Sequence, residues 1–542
     1  MKVPAAIAEI LKREGVDVVF GYPRNAVLEA AAEADIRTVI VRQERTGLHM
    51  ADAYSRMTRG RKMGVFAMQH GPGTENAYGG VAQAYSESIP VLVFPQGYSR
   101  RLAHVPDNYN ATVQMASVSK SAEPINLPAE TANIMRRAFT QLRNGRPRPA
   151  IVEIPYDVVG EEVPEPLVYE PVVRTRFAPA PDAIQAAAKA LVEAETPVIY
   201  AGQGVHWAEA YAELKALAEL LAIPVCTSLE GKSAFDETHP LALGSGGAAI
   251  PKAVRHFLNK SDVIFGVGCS FSETPFGVSM PKGKVMIHNT LDETDINKAY
   301  ATKHALLGDA KLTLGMMIEA CRKLVKSPRD PSAVAVEIKS VEAEWMKQWL
   351  PILTSDEEPL TPYRVLWDLQ HTVDMAQTII THDAGSPRDQ LSPFWKSTAP
   401  LSYIGWGKTT QLGYGLGLAM GAKLACPDKL CINVWGDAAI GFTGMDFETA
   451  ARERAPILSI LLNNASMAIE LDIMPVATRK YRSTDISGNY AEFAKALGGY
   501  GERVSKPEDI IPAIKRGIAQ TQAGVPALLE FMTSQEQRFS RL

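Results

Sequence analysis

The sequence lacks the cysteine pairs, the basic excess and the long apolar runs that are typical of several classes of protein. Its five cysteines are scattered through 542 residues without a Cys-x-x-Cys pair, which argues against a disulfide framework or a zinc site. The formal net charge is −4, and without a basic excess nothing points to a nucleic-acid partner. No uninterrupted apolar run approaches the roughly 18 residues that would indicate a membrane span. We therefore expect a cytoplasmic protein that binds neither nucleic acid nor a membrane.

The N-terminal segment MKVPAAIAEILKREGV does not have the pattern of a signal peptide. Glu9, Lys12 and Arg13 fall within the stretch that would have to form the apolar core of such a peptide. The segment therefore predicts an amphipathic helix of the folded protein.

Short runs rich in Val and Ile alternate with helical stretches along the whole chain. A length of 542 residues is too great for one core and predicts about three domains. Apolar strands separated by helices are typical of parallel sheets covered on both faces, so the pattern predicts three doubly wound α/β domains. A Pro-rich linker at 156–183 and a charged helical stretch near 326–360 separate three groups of predicted strands. These are 16–20, 38–41, 63–68, 91–94 and 150–154; 197–201, 223–226, 263–267 and 284–288; and 378–382, 430–435, 457–462 and 526–531.

Two polar dipeptides follow neighbouring predicted strands of the last group. Gly436-Asp437 comes after the run 430–435, and Asn463-Asn464 after 457–462. Strand, crossover helix and strand return the chain to the same edge of a parallel sheet, so Asp437 and Asn464 should face one crevice. A carboxylate, an amide oxygen and the backbone carbonyl of Ser466 are hard oxygen ligands that suit Mg²⁺ and leave positions for phosphate oxygens and water. The alternative is that these residues only form turns and caps.

Several motifs together resemble those of the thiamine diphosphate-dependent decarboxylases and acetolactate synthase-like enzymes. They are GDA followed 27 positions later by the second Asn of NN, FGYP at 20–23, RQERTGLHMADAYSR at 42–56, HGPGTEN at 70–76, SIPVLVF at 88–94 and LEGKSAFDETHPLALG at 229–244. The resemblance implies a pyrimidine-binding domain at 1–165, a middle Rossmann-like domain at 180–325 and a diphosphate-binding domain at 345–542. It also implies thiamine diphosphate and Mg²⁺ as cofactors, and a homodimer or homotetramer whose active sites are shared between chains.

The resemblance also implies which residues bind the cofactors. Gly436 would let the backbone approach the phosphates, and Leu412 takes the place of the bulky residue that wedges the cofactor into its bent shape. For Leu412 the alternative is a leucine of the core. The implied cofactor-binding residues are Glu44, Gly385, Leu412, Gly436, Asp437, Ala438 and Asn464, and the implied metal ligands are Asp437, Asn464 and Ser466.

Glu44 follows the predicted strand 38–41 at a point where a helix begins. In the family that the chain resembles, such a glutamate hydrogen-bonds the pyrimidine ring and favours the imino form whose nitrogen deprotonates the thiazolium carbon. This role requires a raised carboxyl pKa, and hence an apolar, desolvated setting. The alternative is a surface glutamate paired with Arg42 or Arg45.

A few further side chains are candidates for residues that determine the substrate and the outcome of the reaction. Glu470, in NNASMAIE, coincides with the acidic residue that 2-oxo acid decarboxylases of the family use in decarboxylation and protonation; an exposed helix glutamate is the alternative. Asn25 takes a place near the substrate where relatives carry an acidic or hydroxyl side chain. Arg24 replaces the usual second glycine of that loop and could hold a carboxylate or stay solvated. His70 and His104 are candidate proton shuttles, or structural histidines.

The resemblance predicts an enzyme, a lyase or transferase, that cleaves or forms a carbon–carbon bond on a 2-oxo acid. Decarboxylation would be followed by protonation or carboligation of the enamine. Neither the Phe-Gln-Glu pattern of acetolactate synthases nor the paired histidines of pyruvate decarboxylases are visible, so neither specific activity is predicted. One alternative is an acyl-CoA lyase or decarboxylase of the same family, which would need a nucleotide-shaped basic pocket in the middle domain. The other is a non-catalytic thiamine diphosphate-binding protein, against which the retained Glu44 argues.

Overall fold

Three six-stranded parallel sheets form the framework of the computed structural model, which describes all 542 residues. The first sheet contains β1 (Val18–Gly21), β2 (Arg37–Ile40), β3 (Gly64–Met68), β4 (Val91–Gly97), β5 (Ser121–Pro124) and β6 (Ala150–Pro155). The second contains β7 (Val198–Ala201), β8 (Val225–Ser228), β9 (Ala242–Gly246), β10 (Val263–Val267), β11 (Val285–Thr290) and β12 (His304–Leu307). The third contains β13 (Thr378–His382), β14 (Tyr403–Ile404), β15 (Leu430–Gly436), β16 (Leu458–Asn463), β17 (Tyr500–Val504) and β18 (Ala527–Met532).

Helices connect the strands and cover both faces of the sheets. The first sheet is accompanied by α1 (Val3–Arg13), α2 (Ala26–Glu33), α3 (Glu44–Met57), α4 (Pro72–Ser86), α5 (Ala111–Met115) and α6 (Thr131–Arg143), and the second by α7 (Pro181–Glu193), α8 (Gly204–Ala208), α9 (Tyr211–Leu221), α10 (Lys252–Lys260) and α11 (Ala310–Leu324). After α12 (Ser332–Leu353), the third domain contains α13 (Pro362–Thr372), α14 (Ser386–Leu391), α15 (Tyr414–Ala425), α16 (Asp437–Thr443), α17 (Phe447–Arg452), α18 (Pro475–Tyr481), α19 (Tyr490–Ala496) and α20 (Ile510–Gln522). None of these helices has both the length and the apolar character that crossing a bilayer requires.

The prediction of three doubly wound α/β domains is confirmed. The strand orders are β2-β1-β3-β4-β6-β5, β12-β11-β10-β7-β8-β9 and β14-β13-β15-β16-β18-β17. All thirteen predicted strand segments overlap strands of the structure, and β3, β4 and β6 are buried along their whole length. The strands that were not predicted are β5, β9, β12, β14 and β17. Each of them is an edge strand of its sheet.

Each sheet reverses its order at one point, and a crevice opens there at the carboxyl ends of the strands. In the first sheet this point lies between β1 and β3, and in the third between β13 and β15. The segments that follow these four strands and their neighbours β2 and β16 carry most of the residues that the sequence singled out. The two crevices are therefore where a site is expected.

The first and third domains of the chain pack together through α3 and α15. Two glycines of α15 allow the close contact: a Cβ on Gly417 would lie 2.4 Å from the Cβ of His49, and one on Gly421 would lie 2.3 Å from the carbonyl oxygen of Met50. Neither position can carry a side chain unless the helices separate. The contact fixes α3 relative to the third domain.

Buried polar contacts also hold α3 in place. Arg56 pairs with Asp52 at 2.6 Å, and both side chains are almost fully buried. Arg56 donates a second hydrogen bond of 3.0 Å to the carbonyl of Gly405, and the Tyr414 hydroxyl donates to Asp52. Because Glu44 is the first residue of α3, these contacts also determine where its carboxyl group lies.

Candidate active site

A pocket opens at the carboxyl edge of the third sheet, between the loops that follow β13, β15 and β16. Its lining contains eight of the residues predicted from the sequence, which come from four separate segments. They are Gly385, Leu412, Gly436, Asp437, Ala438, Asn464, Ser466 and Glu470. The structure therefore brings this part of the predicted set together in one place.

The pairing of β15 with β16 explains why Asp437 and Asn464 meet. Gly436 lies opposite Leu462 in the parallel register, so the next residues along each strand leave the sheet at the same edge. The backbone N–H of Ser466 is shared between the two side chains, at 3.2 Å from Asp437 Oδ2 and 3.0 Å from Asn464 Oδ1. The carboxylate and the amide oxygen thus converge on one point.

The chemistry of this point suits a divalent cation with phosphate ligands. Burial raises the pKa of Asp437 to about 6, although the backbone N–H groups of Ser466, Ala438 and Ala465 favour its ionised form. The buried Ser466 hydroxyl has no hydrogen-bond partner. No group of three His, Cys, Asp or Glu side chains suited to a metal occurs anywhere in the structure. A cation held here would therefore need oxygen ligands from a bound molecule as well as from the protein.

Asp383 organises the opposite wall of the pocket, and the sequence analysis did not identify it. It follows β13 and is fully buried, and its carboxylate accepts hydrogen bonds of 2.8–2.9 Å from the N–H groups of Ala384, Gly413 and Gly415. These bonds join the loop that carries Gly385 to the loop that carries Leu412. Burial raises the pKa of Asp383 to about 7. The available signal was an aspartate directly after a predicted strand and directly before Ala384-Gly385.

Glu470 lies in a short 3₁₀ segment, 468–470, on the open side of the pocket. The C-terminal segment of the chain supports it, because the Gln537 side chain donates 3.0 Å to the carbonyl of Ala468. Thr533, which follows β18, also lines the pocket. Glu470 is thus half-buried beside the pocket rather than on an exposed helix face.

The first asparagine of the pair has a structural role. Asn463 donates 2.7 Å to Glu530 of β18, which is fully buried, and its Oδ1 accepts from the N–H of Ala465. Glu530 also accepts from the N–H of Ala491 and pairs with Arg503 at 2.9 Å. This network fixes the end of β16, and only Asn464 turns toward the pocket.

Glu44 lies at the carboxyl edge of the first sheet and is only 4% exposed. Its carboxylate accepts a 3.3 Å hydrogen bond from the Asn76 side chain. Gly73 packs closely against the carboxylate, because a Cβ at that position would lie 3.2 Å from Oε1 of Glu44. Burial raises the pKa of Glu44, and the nearby carboxyl group of Asp446 raises it further, against the opposing hydrogen bonds. Glu44 forms no ion pair with Arg42 or Arg45, so the predicted desolvated setting is present.

The remaining candidates occupy neighbouring loops of the same edge. The Asn25 amide donates with both of its N–H bonds, to the carbonyls of Met68 and Phe94, and its oxygen accepts from the N–H of Val27 and so caps α2. His70 packs edge-to-face on Tyr98 at 4.8 Å.

Two other residues that the sequence singled out are exposed on these loops. His104 is exposed, as is Arg24, whose φ of 72° is left-handed, the conformation expected at a glycine position.

Glu44, Asn25 and His70 do not line the pocket of the third domain in this chain. The packing of α3 on α15 joins the two domains through helices, and it leaves each sheet edge with its own crevice. The structure therefore divides the predicted site residues into two groups on one chain.

A second cavity lies beside the middle domain, where all three domains meet. Its lining includes two cationic side chains, Arg146 and Lys408, and two acidic ones, Glu230 and Asp295. Arg146 pairs with Asp295 at 2.6 Å. The cavity is therefore balanced in charge rather than basic.

Comparison with protein-family models gives matches in all three domains of the chain. Three family models match in order: the N-terminal TPP binding domain of thiamine pyrophosphate enzymes over residues 1–119, their central domain over 184–317 and their C-terminal TPP binding domain over 383–531.

Curated relatives match along most of their length. A probable acetolactate synthase large subunit of Methanocaldococcus jannaschii is 30% identical over 98% of this chain and 92% of its own. The acetolactate synthase isozyme 3 large subunit of Escherichia coli K12 is 28% identical over 94% and 91%, and the glyoxylate carboligase of Escherichia coli O157:H7 is 27% identical over 98% and 93%. The resemblance predicted from the motifs is confirmed: the chain belongs to the thiamine pyrophosphate (thiamine diphosphate) enzyme family.

Proposed function

We propose that this enzyme uses thiamine diphosphate and Mg²⁺ to decarboxylate a 2-oxo acid and then protonates the acyl group or joins it to a second carbonyl compound. The observation that carries the proposal is the pocket in which Asp437, Asn464 and Ser466 converge opposite Gly385 and Leu412. The names of the relatives, acetolactate synthase and glyoxylate carboligase, support the carboligation of 2-oxo acids.

In the proposed site, Asp437, Asn464 and the Ser466 carbonyl hold Mg²⁺ together with diphosphate oxygens. The ion neutralises the charge that would otherwise oppose burial of the diphosphate. A Cβ built on Gly436 would have no other atom within 3.8 Å. The open space there leaves room for phosphate oxygens beside the Ala438 N–H. Leu412, which lines the pocket, would pack against the ring system of the cofactor. When bound, thiamine diphosphate would supply a nucleophilic carbon for the substrate carbonyl and an electron sink for the loss of carbon dioxide.

We assign the proton transfers to residues of the two sheet edges. Burial raises the pKa of the Glu44 carboxyl group, which favours its protonated form, and Glu44 would exchange that proton with the pyrimidine ring. Glu470 delivers a proton to the acyl group from the substrate side, and His70 exchanges protons with solvent. Asn25 positions its loop, because both of its N–H bonds and its oxygen are already engaged within the chain.

The assembly is part of the proposal. The edge that carries Glu44 and the edge that carries Asp437 belong to separate crevices of one chain, so a site that uses both residues needs two chains. We therefore propose a homodimer or a homotetramer, with Glu44 of one chain facing Asp437 of its partner.

We also propose that the enzyme is located in the reducing cytoplasm. All five cysteines are free thiols, which supports this location.

The acyl-CoA alternative is less well supported. The nucleotide part of coenzyme A carries several negative charges, and a site for it should contain an excess of Lys and Arg. The cavity beside the middle domain instead matches Arg146 and Lys408 with Glu230 and Asp295. A non-catalytic role is disfavoured by the buried Glu44 with its raised pKa.

The experiment is a screen of 2-oxo acids and acyl-CoAs with added thiamine diphosphate and Mg²⁺. We expect carbon dioxide release from at least one 2-oxo acid, dependent on both cofactors, and none from acyl-CoAs. Turnover of acyl-CoAs alone would replace the proposal, and the absence of any turnover would favour a binding protein.

The fate of the acyl group is tested on the substrate that the screen finds. Glu470→Gln should slow aldehyde release more than carbon dioxide release and shift the products toward carboligation, because the main proton donor is lost. An unchanged product ratio would remove Glu470 from the reaction.

A further inference from the structure

We propose that Arg24 binds a carboxylate group that the reaction retains and thereby selects the substrate. The inference rests on the proposed function and adds to it a class of substrate, either a 2-oxo acid that acts as the acceptor or a donor with a second, distal carboxylate.

The loop that carries Arg24 is held rigidly at the edge of the first sheet. The Asn25 side chain donates 2.8 Å to the carbonyl of Met68 and 2.9 Å to that of Phe94, so it ties the loop to the ends of β3 and β4. The N–H of Ala26 donates 3.4 Å to Gln96. The backbone from which Arg24 projects is therefore fixed by three contacts with neighbouring strands.

Arg24 itself is strained and has no partner in the chain. Its φ of 72° lies in the left-handed region, where a side chain is unfavourable and glycine is preferred. The side chain is exposed and takes part in no hydrogen bond or ion pair. No contact within the chain offsets the strain, and unrelieved backbone strain of this kind is concentrated at functional sites.

The position of Arg24 indicates which kind of ligand it would bind. It follows β1, while Glu44 follows β2 and His70 follows β3, so the three side chains belong to adjacent loops of one sheet edge. A guanidinium group offers paired donors that match the two oxygens of a carboxylate. On the sheet edge that also carries the proposed proton donor Glu44, the ligand that suits Arg24 is the carboxylate of a substrate.

The carboxylate that departs as carbon dioxide is a poor candidate for this contact. An ion pair with that group would stabilise the substrate and weaken as the negative charge leaves it, so it would raise the barrier to decarboxylation. A carboxylate that persists through the reaction does not have this effect. Arg24 therefore fits the carboxylate of the acceptor or the distal carboxylate of a dicarboxylic donor.

The first test measures binding without turnover. Enzyme loaded with thiamine diphosphate and Mg²⁺ is titrated by calorimetry with lactate, with malate and with their amides, which do not react. We expect Arg24→Gln to weaken binding of at least one acid about tenfold or more, Arg24→Lys to weaken it less, and neither to change binding of the matched amide. Arg101→Gln, which removes an exposed charge from a nearby loop, is the control.

The second test identifies which carboxylate is bound. If it belongs to the acceptor, Arg24→Gln should raise KM for an acceptor 2-oxo acid and leave KM for a neutral aldehyde acceptor unchanged. If it is the distal group, KM should rise for 2-oxoglutarate but not for 2-oxobutyrate. In either case kcat should change little, because the contact is equally strong before and during the reaction.

Either of two results would overturn the inference: wild-type affinities in Arg24→Gln, or an equal loss in Arg101→Gln, which would indicate only a general effect of charge. Absence of acid binding by the wild type would also overturn it. Failure of the proposed function is seen separately, as absence of turnover by the wild type. As a further check, Arg24→Gly should raise the thermal midpoint by relieving the left-handed strain, and an unchanged midpoint would contradict the strain argument.

Discussion

Glu44 and Asp437 are buried carboxyl groups whose pKa values are raised, but their surroundings suit different tasks. Glu44 has one weak side-chain donor, Asn76, and a second carboxyl group nearby, so its proton can move at little cost in lost hydrogen bonds. Asp437 accepts from the N–H groups of Ala438 and Ser466, which aim its oxygens at the point shared with Asn464. One carboxyl group is suited to proton exchange and the other to a cation.

Replacing Glu44 with glutamine should remove catalysis and leave cofactor binding nearly unchanged. An amide of the same shape keeps the packing but cannot exchange a proton, and loss of a positioned acid–base group costs at least ~10²-fold in turnover. Turnover at saturating cofactor and calorimetric cofactor affinity are the two measurements. Glu75→Gln, at an exposed position of α4, is the control and should behave as wild type. Near-normal turnover in Glu44→Gln would contradict its role.

Replacing Asp437 or Asn464 with alanine should abolish Mg²⁺-dependent binding of thiamine diphosphate. Without these ligands the diphosphate charge cannot be neutralised at the pocket. Calorimetric titration of each variant with the cofactor, with and without Mg²⁺, measures this loss. Asp472→Ala removes an exposed carboxylate from the neighbouring segment and should have no effect. Unchanged affinity in either variant would remove that residue from the ligand set.

Asp383 should make stability depend on pH. The folded protein raises its pKa from 3.8 to about 7, so it keeps a proton that the unfolded chain has released. The stabilisation from this group is therefore present below about pH 4 and is lost as the pH rises through about 7. The thermal midpoint of Asp383→Asn should gain several degrees relative to wild type between pH 5 and pH 8. Parallel curves for the two proteins would contradict the raised pKa.

At the scale of elements, interior strands could be predicted from the sequence and most edge strands could not. Interior strands are buried on both faces and read as continuous apolar runs. By contrast, β5 is only partly buried along its length, β9 contains two glycines, β14 has two residues and β17 carries Glu502 and Arg503. An edge strand pairs on one side only and needs less apolar sequence, so the pattern that identifies the others is weak there.

The same limit applies to the site. Asp437 and Asn464 could be predicted to meet because strand ends of a parallel sheet meet by topology. The contacts of Asp383 with Gly413 and Gly415, and of Asn463 with Glu530, depend on how loops fold back on the sheet. Spacing along the chain contains no such information.

The contact between α3 and α15 should tolerate no side chain at Gly421. A methyl group there would lie 2.3 Å from the backbone oxygen of Met50, so the helices must move apart at a cost of about 1–3 kcal/mol. Gly421→Ala should lower the thermal midpoint and also reduce turnover, because Glu44 begins the displaced helix. Gly315→Ala in α11, where a methyl group meets no atom within 4 Å, should be neutral or stabilising. A stable, fully active Gly421→Ala protein would show that the contact can adjust.

At the scale of the whole molecule, the proposed site requires two copies of the chain. Phe442 and Met445, at the end of α16 and just beyond it, are 46% and 45% exposed, and the guanidinium group of Arg45 lies 5.7 Å from the Phe442 ring. Phe442 thus lies beside Arg45, which directly follows Glu44, and we expect a second chain to cover these exposed apolar side chains. We therefore predict that neither sheet edge is active alone.

Subunit complementation tests this central claim most directly. Glu44→Gln and Asp437→Ala chains, each of which we expect to be inactive alone, are given different affinity tags and mixed under conditions of subunit exchange. The expected heterodimer is then purified through both tags. Each heterodimer would contain one site with Glu44 and Asp437 both intact and one site with neither, so we expect about half of the wild-type turnover. If each site instead used both residues of one chain, every site of the heterodimer would lack one of them. A purified heterodimer without activity would contradict the shared site.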